Sequence, residues 1–173
     1  MSALALALLS LSPEGLSLEQ DAFYRKASEW SRLGSGSASR SLYGPLGLWG
    51  KTEGIANSSD EYAIPYAGKV DPVFTSFKDT ILLVETGQKT VSSTAGHGLM
   101  KGHPFAAERF KQAHRNMASL QKILAQGNLE AFGELVESEA LTLHAMMMSS
   151  RPYFILMKPH TLEIINKVWE WRR

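Results

Sequence analysis

Apolar side chains run almost unbroken through Met1-Ser2-Ala3-Leu4-Ala5-Leu6-Ala7-Leu8-Leu9. A helix that is apolar all round has no stripe for water, so this run predicts a helix covered by other elements. Ser12-Pro13-Glu14-Gly15 reads as a turn, and Ser17-x-x-Gln20 as a capping box that starts a second helix. There Phe23, Ala27, Trp30 and Leu33 recur at steps of four, three and three, which is helical period, and Gly34 ends the pattern. Leu42 to Trp49 predicts a strand with Leu46 and Leu48 on one face, where Pro45 argues for an edge or a bulge. After a loop at Asn57-Ser58-Ser59-Asp60, Tyr62, Ile64 and Tyr66 alternate as in a strand whose Pro65 again suggests an edge. Ile81-Leu82-Leu83-Val84 is a short apolar run of the kind found in a strand covered on both faces.

The second half is helical. Between Pro104 and Gln126, Ala106, Phe110, Ala113, Met117, Leu120 and Leu124 form one stripe. Gly127-Asn128 then supplies a terminating glycine and a new N-cap back to back. The next helix is expected to turn Leu129, Phe132, Val136, Ala140 and Leu143 inward. Pro152 and Pro159 punctuate the segment after it, and Thr161 is expected to open a last helix through Leu162, Ile165 and Trp169. A few early strands and a later helical layer make the fold class α+β.

Composition narrows the function classes. The chain has 173 residues, 44% hydrophobic and 20% charged, enough for one domain, or one and part of another, and too apolar for disorder. Eighteen Lys+Arg against 17 Asp+Glu leave a formal charge of +1, with no basic excess to draw the chain onto nucleic acid. The absence of cysteine removes disulfides, thiolate metal sites and cysteine nucleophiles, and fits a reducing cytoplasm. The leading apolar run has the length of a signal-peptide h-region, but the first basic residue is Arg25, so the charged n-region is missing. The run is also too short to span a bilayer.

Three stretches could carry chemistry. In Gly34-Ser35-Gly36-Ser37-Ala38-Ser39-Arg40-Ser41, small residues let backbone N–H groups converge on an anion, the serines add hydroxyls, and Arg40 adds a fork suited to carboxylate or phosphate. A flexible Gly/Ser linker is the plainer alternative, but the stretch lies between an amphipathic helix and a strand and has Arg embedded in it. It does not fit G-x-x-x-x-G-K-[ST]. In Lys89 to His97, paired hydroxyls at what reads as a helix N-terminus make either a second anion site or an ordinary cap. In Glu137 to Met148, Glu137, Leu141 and His144 share a helix face; a lone histidine there is more often a hydrogen-bonded core residue than a catalyst, and the Met run reads as core filling. His97, His103 and His114 lack metal-ligand spacing, so no metal site is predicted.

Arg32 to Gly44, followed by Trp49, resembles the A-R-x-G-S-G-S-A-x-R-S-x-x-G-G…W signature of diphosphomevalonate decarboxylases, members of the GHMP kinase superfamily. Lys89 to Gly96 is similar to their K-x-V-x-S-[RT]-x-G stretch, and Glu137 to Ala145 to their D-S-N-x-x-H-A helix. The likeness is greatest to the Bacteroidetes versions. It implies the end of an N-terminal α+β domain over residues 1–75 and part of a helix-rich C-terminal domain over residues 76–173.

It further implies ATP- and Mg2+-dependent decarboxylation of mevalonate 5-diphosphate to isopentenyl diphosphate for isoprenoid synthesis, in a cytoplasmic enzyme that is usually a homodimer. Carried over by motif, Arg40 would grip the substrate carboxylate as the catalytic group, Ser35 and Ser37 would line the pocket, and Ser93 with Thr94 would face the diphosphate. Ser138 and His144 would support the site from behind. Thr94 stands where many members have Arg, Glu137 for the usual Asp, and Pro45 for a Gly. The family's P-x-x-x-G-L-x-S-S-x-S-G loop and D-A-G-x-N strand do not occur in the sequence, which implies a central fragment, inactive alone. A non-catalytic anion-binding remnant and a small-molecule kinase of the superfamily are the alternatives.

Overall fold

The computed structural model describes residues 1–84 and 98–172. These form two compact units, Met1–Gly68 and Lys69–Arg173.

The first unit opens with helix α1, Ser2–Ser10. Among its residues only Ala5 and Leu9 are buried, while Leu4 and Leu8 remain 54% and 53% exposed. The expectation of cover on every side is therefore not met among the described residues, because α1 is packed on one face alone. Ser12 caps the short helix α2, Pro13–Ser17, by accepting the Gly15 N–H at 2.9 Å, where a plain turn was expected. Ser17 does not form the expected capping box, because it ends α2 and lies two residues ahead of Glu19, the N-cap of the next helix; its hydroxyl donates to the Glu14 carbonyl at 2.8 Å. Helix α3, Gln20–Gly34, instead starts behind Glu19 without a side-chain cap.

The buried face of α3 carries Ala27, Ser28 and Ser31, and Leu33 is 75% exposed. The apolar stripe thus misses the true inner face by about one residue. The cause is hydrogen bonding: the Ser28 hydroxyl donates to the Ser39 carbonyl at 2.9 Å and accepts the Ala63 N–H at 2.8 Å. A 3-10 helix, Gly36–Leu42, follows extended Ser35. It takes Leu42 from the expected long strand, and residues 43–46 form no strand, leaving β1 as Gly47–Trp49. Strand β1 pairs antiparallel with β2, Ala63–Pro65, with buried Leu48 opposite buried Ile64.

In the second unit, the run Ile81 to Val84 forms no strand, and Ile81, Leu82 and Leu83 lie exposed. A strand needs a hydrogen-bonding partner, and the two-stranded sheet of the first unit is the sheet formed among the described residues. Helix α4, Ala106–Gln126, ends at Gly127, whose φ of 71° is the left-handed cap that glycine adopts without strain. Asn128 caps helix α5, Leu129–Met148, through the Ala131 N–H at 3.0 Å. Both caps match the sequence reading.

The inward face of α5 does not. Leu129, Val136, Ala140 and Leu143 are exposed, and the side bonded to α4 carries Glu139 and Thr142 instead. Met146 and Met147 are the buried residues of α5, consistent with methionine as core filling. Phe132 joins Phe74 and Phe77 in an aromatic cluster with ring centroids 5.2–5.4 Å apart. Helix α6, Pro159–Trp171, begins on its proline, two residues ahead of Thr161, because a proline at the first helical position sacrifices no hydrogen bond. Among the described residues no helix is long and apolar enough to cross a membrane.

Candidate anion-binding site

The stretch Gly34 to Ser41 is the joint between α3 and the 3-10 helix. Three residues per turn stack positions i and i+3 along one edge of a 3-10 helix. Gly36 and Ser39 share the inner edge: Ser39 is fully buried, and its hydroxyl donates to the Gly36 carbonyl at 2.7 Å. Ser37 and Arg40 share the outer edge and are exposed. Two more bonds fasten this helix, from the Ser2 hydroxyl to the Ala38 carbonyl at 2.9 Å and from the Ser28 hydroxyl to the Ser39 carbonyl at 2.9 Å.

On the outer edge the polar groups are free. The Arg40 guanidinium makes no hydrogen bond or ion pair with any described residue, and the N–H groups of Gly36 and Ser37 find no acceptor among them. The Ser35 and Ser37 hydroxyls lie 3.2 Å apart, within hydrogen-bonding distance of each other. Ser35 and Ser37 are thus brought together, and Arg40 follows Ser37 by one turn of the same 3-10 helix. A planar guanidinium beside hydroxyls and unpaired N–H groups suits a carboxylate or phosphate oxygen.

Glycine at position 36 has a steric cause. A Cβ there would lie 2.7 Å from Cη2 and 2.8 Å from Cζ3 of Trp49, so the indole rests against the Gly36 backbone. The indole N–H donates in turn to the Asp60 carbonyl at 2.8 Å. A cleft of about 490 Å3 in the same unit, lined by Gln20, Asp21, Tyr24, Arg25, Tyr43 and Asn57 among others, includes none of Ser35, Ser37 or Arg40. Burial pushes the Tyr43 phenol in that cleft above the usual tyrosine value.

The other expected site residues fall in the second unit. Ser93 and Thr94, with the rest of Lys89 to His97, lie outside the described residues. Ser138 is exposed on α5, and His144, half-buried on the same helix, makes no hydrogen bond to a described residue. In D-S-N-x-x-H-A the acid precedes the histidine by five residues, and five residues before His144 stands Glu139, not Glu137. Glu137 pairs instead with Arg172.

Glu139 takes part in a network that periodicity could not reveal. Its carboxylate accepts from Arg109 at 2.5 and 3.2 Å and from Asn116 Nδ2 at 2.6 Å, while Gln112 reaches Thr142 at 3.4 Å. Partial burial pushes the Glu139 carboxyl up, but the hydrogen bonds from Arg109 and Asn116 and the Arg109 charge outweigh it, holding the group below the usual carboxylate range. His103, which lacks metal-ligand spacing, is buried; its Nδ1 accepts the Phe105 N–H at 3.1 Å and its Nε2 lies 3.2 Å from the Ser149 hydroxyl. With Nδ1 as the acceptor, neutral His103 carries its proton on Nε2. No group of three or more His, Asp or Glu among the described residues could hold a metal ion.

Comparison with known proteins adds the family. Residues 80–173 match the model of the mevalonate 5-diphosphate decarboxylase C-terminal domain. The diphosphomevalonate decarboxylase of Bos taurus is 30% identical over 148 residues, covering 82% of this chain and 35% of its own. The crystal structure of mevalonate diphosphate decarboxylase from Staphylococcus aureus superposes with a TM-score of 0.74 at 24% identity, over 99% of this chain and 50% of that one. A structure described as MDDEF in complex with MVAPP, AMPPCP and magnesium gives 0.72 at 23% identity, over 99% and 51%. The chain therefore spans about a third of the curated relative and half of the solved ones. The α+β, GHMP-kinase-type fold is shared along nearly the whole chain and the family model matches more than half of it, so the chain belongs to the mevalonate 5-diphosphate decarboxylase family.

Proposed function

We propose that this chain carries the carboxylate-binding side of a mevalonate 5-diphosphate decarboxylase site. The observation that carries the reading is the outer edge of the 3-10 helix, where Arg40, without a hydrogen bond or ion pair to any described residue, stands one turn from Ser37, whose hydroxyl lies 3.2 Å from that of Ser35. Family membership supplies the substrate class, and the relative described in complex with MVAPP, AMPPCP and magnesium supports substrate, nucleotide and metal as the full set of ligands. In this reading Ser93 and Thr94 bind the diphosphate, and Ser138 and His144 give the site secondary support.

The chemistry assigns Arg40 a definite part. Decarboxylation moves negative charge off the carboxylate, so a cation on that carboxylate stabilises the substrate more than the transition state. Arg40 therefore acts by holding and orienting the group that leaves as carbon dioxide, with its planar fork fixing the carboxylate plane. The hydroxyls of Ser35 and Ser37 and the free N–H groups of Gly36 and Ser37 complete the grip. The outer edge of the 3-10 helix fits a carboxylate, and among the described residues no group of three or more His, Asp or Glu is placed to hold a metal ion. The nucleotide-binding and aspartate motifs of the family do not occur among the 173 residues, so in this reading turnover needs groups from outside them.

Two ligands that differ by the carboxylate test the assignment. Mevalonate 5-diphosphate and isopentenyl diphosphate both carry a diphosphate, but the second has lost the carboxylate. Titrated against the chain, the first should shift the amide resonances of residues 34–41 and the Arg40 Nε–H. The second should leave Arg40 unmoved. Equal response of Arg40 to both would move the carboxylate site elsewhere.

A further inference from the structure

The structure assigns Trp49 a place in this site as a positioning residue, an inference that rests on the reading of Arg40 and its neighbours as an anion site. Trp49 is fixed at both ends. Its backbone pairs with Ala63 across the sheet, and its indole N–H is tied to the Asp60 carbonyl at 2.8 Å. Asp60 is itself fixed, since its Oδ1 accepts the Lys51 N–H at 2.8 Å. The six-membered ring so placed lies where any side chain at position 36 would have to go, 2.7 Å from an added Cβ.

Gly36 stands between the two serines whose hydroxyls are 3.2 Å apart, and its own N–H is free. A rigid ring against it fixes the backbone from which these donors project. Donors held before the ligand arrives lose less freedom on binding, and affinity rises accordingly. Trp49 is 37% exposed, so the indole also walls the turn on one side without closing it. The ring donates nothing to the ligand and acts through Gly36.

A double-mutant cycle on the full 173-residue chain tests this, with mevalonate 5-diphosphate as the probe and Arg40→Ala as control. Gly36→Ala should weaken binding about tenfold or more, because its methyl must displace the ring, and Trp49→Ala about fivefold or more, because the turn loses its support. With Trp49→Ala already in place, Gly36→Ala should cost less than about twofold. The indole N–H resonance of Trp49 should move in Gly36→Ala without ligand, a signature that loss of stability alone does not give. Independent, additive costs overturn the inference, as does wild-type affinity in Gly36→Ala. That single variant decides the matter if Trp49→Ala fails to fold. Binding that Arg40→Ala leaves intact overturns the anion-site reading, whereas binding lost in Arg40→Ala with an additive cycle overturns the role of Trp49 alone. Absence of saturable binding by the wild type overturns both.

Discussion

At the scale of single residues, Ser28 decides how the candidate anion site is built. Its hydroxyl satisfies the carbonyl of Ser39, on the 3-10 helix, and the N–H of Ala63, at the start of β2, and it is fully buried. Removing the oxygen strands two backbone groups away from water, each at a cost of about 1–3 kcal/mol. Ser28→Ala should therefore lower the unfolding free energy by about 2–4 kcal/mol, read as a drop in the denaturant midpoint. A loss below about 0.5 kcal/mol would mean that water or relaxation replaces both bonds. Such a residue is illegible in a hydrophobic pattern, because a serine on a buried face scores as polar. Arg40, Ser35 and Ser37 were legible because the cluster is local in sequence, and a chemistry confined to a few consecutive residues needs no tertiary knowledge to be seen.

At the scale of elements, the sequence announced its boundaries better than its faces. Gly127 and Asn128 stop and start α4 and α5 as their conformations require, since caps are local devices. The contact between α4 and α5 depends instead on polar partners 23 to 30 residues apart, the Arg109–Glu139–Asn116 network and the Gln112–Thr142 pair. The stripe through Val136, Ala140 and Leu143 therefore pointed away from the true seam. The network also carries a pH signature. Glu139 titrates below its unfolded value in the fold, so the unfolded state binds more protons between the two values, and the stabilisation is complete above the unfolded value and lost as pH falls through the folded one. Because the carboxylate is only partly buried, the effect is about 1 kcal/mol at most. In Glu139→Gln the decline of stability on acidification through the carboxylate range should be shallower than in the wild type. Parallel acid profiles for the two proteins would show that the pair contributes nothing linked to protonation.

At the scale of the whole molecule, the chain shares its fold over 99% of its length with a solved decarboxylase of which it covers 50%. The whole of the family match, residues 80–173, lies in the helical second unit, whereas the free cationic edge belongs to the first unit. The expected strand at Ile81 to Val84 shows why part of the fold was not legible. An apolar run marks a strand only when another strand is there to pair with it, and local sequence cannot report that. In the proposed function it is Arg40 of the first unit that holds the substrate carboxylate. The affinity of the purified chain for mevalonate 5-diphosphate, compared between wild type and Arg40→Ala, tests it most directly. Loss of a charge-assisted, bidentate partner at an exposed edge should weaken binding by about 1.5–3 kcal/mol, roughly ten- to a hundredfold. An Arg40→Ala chain that binds mevalonate 5-diphosphate as tightly as the wild type would contradict the account.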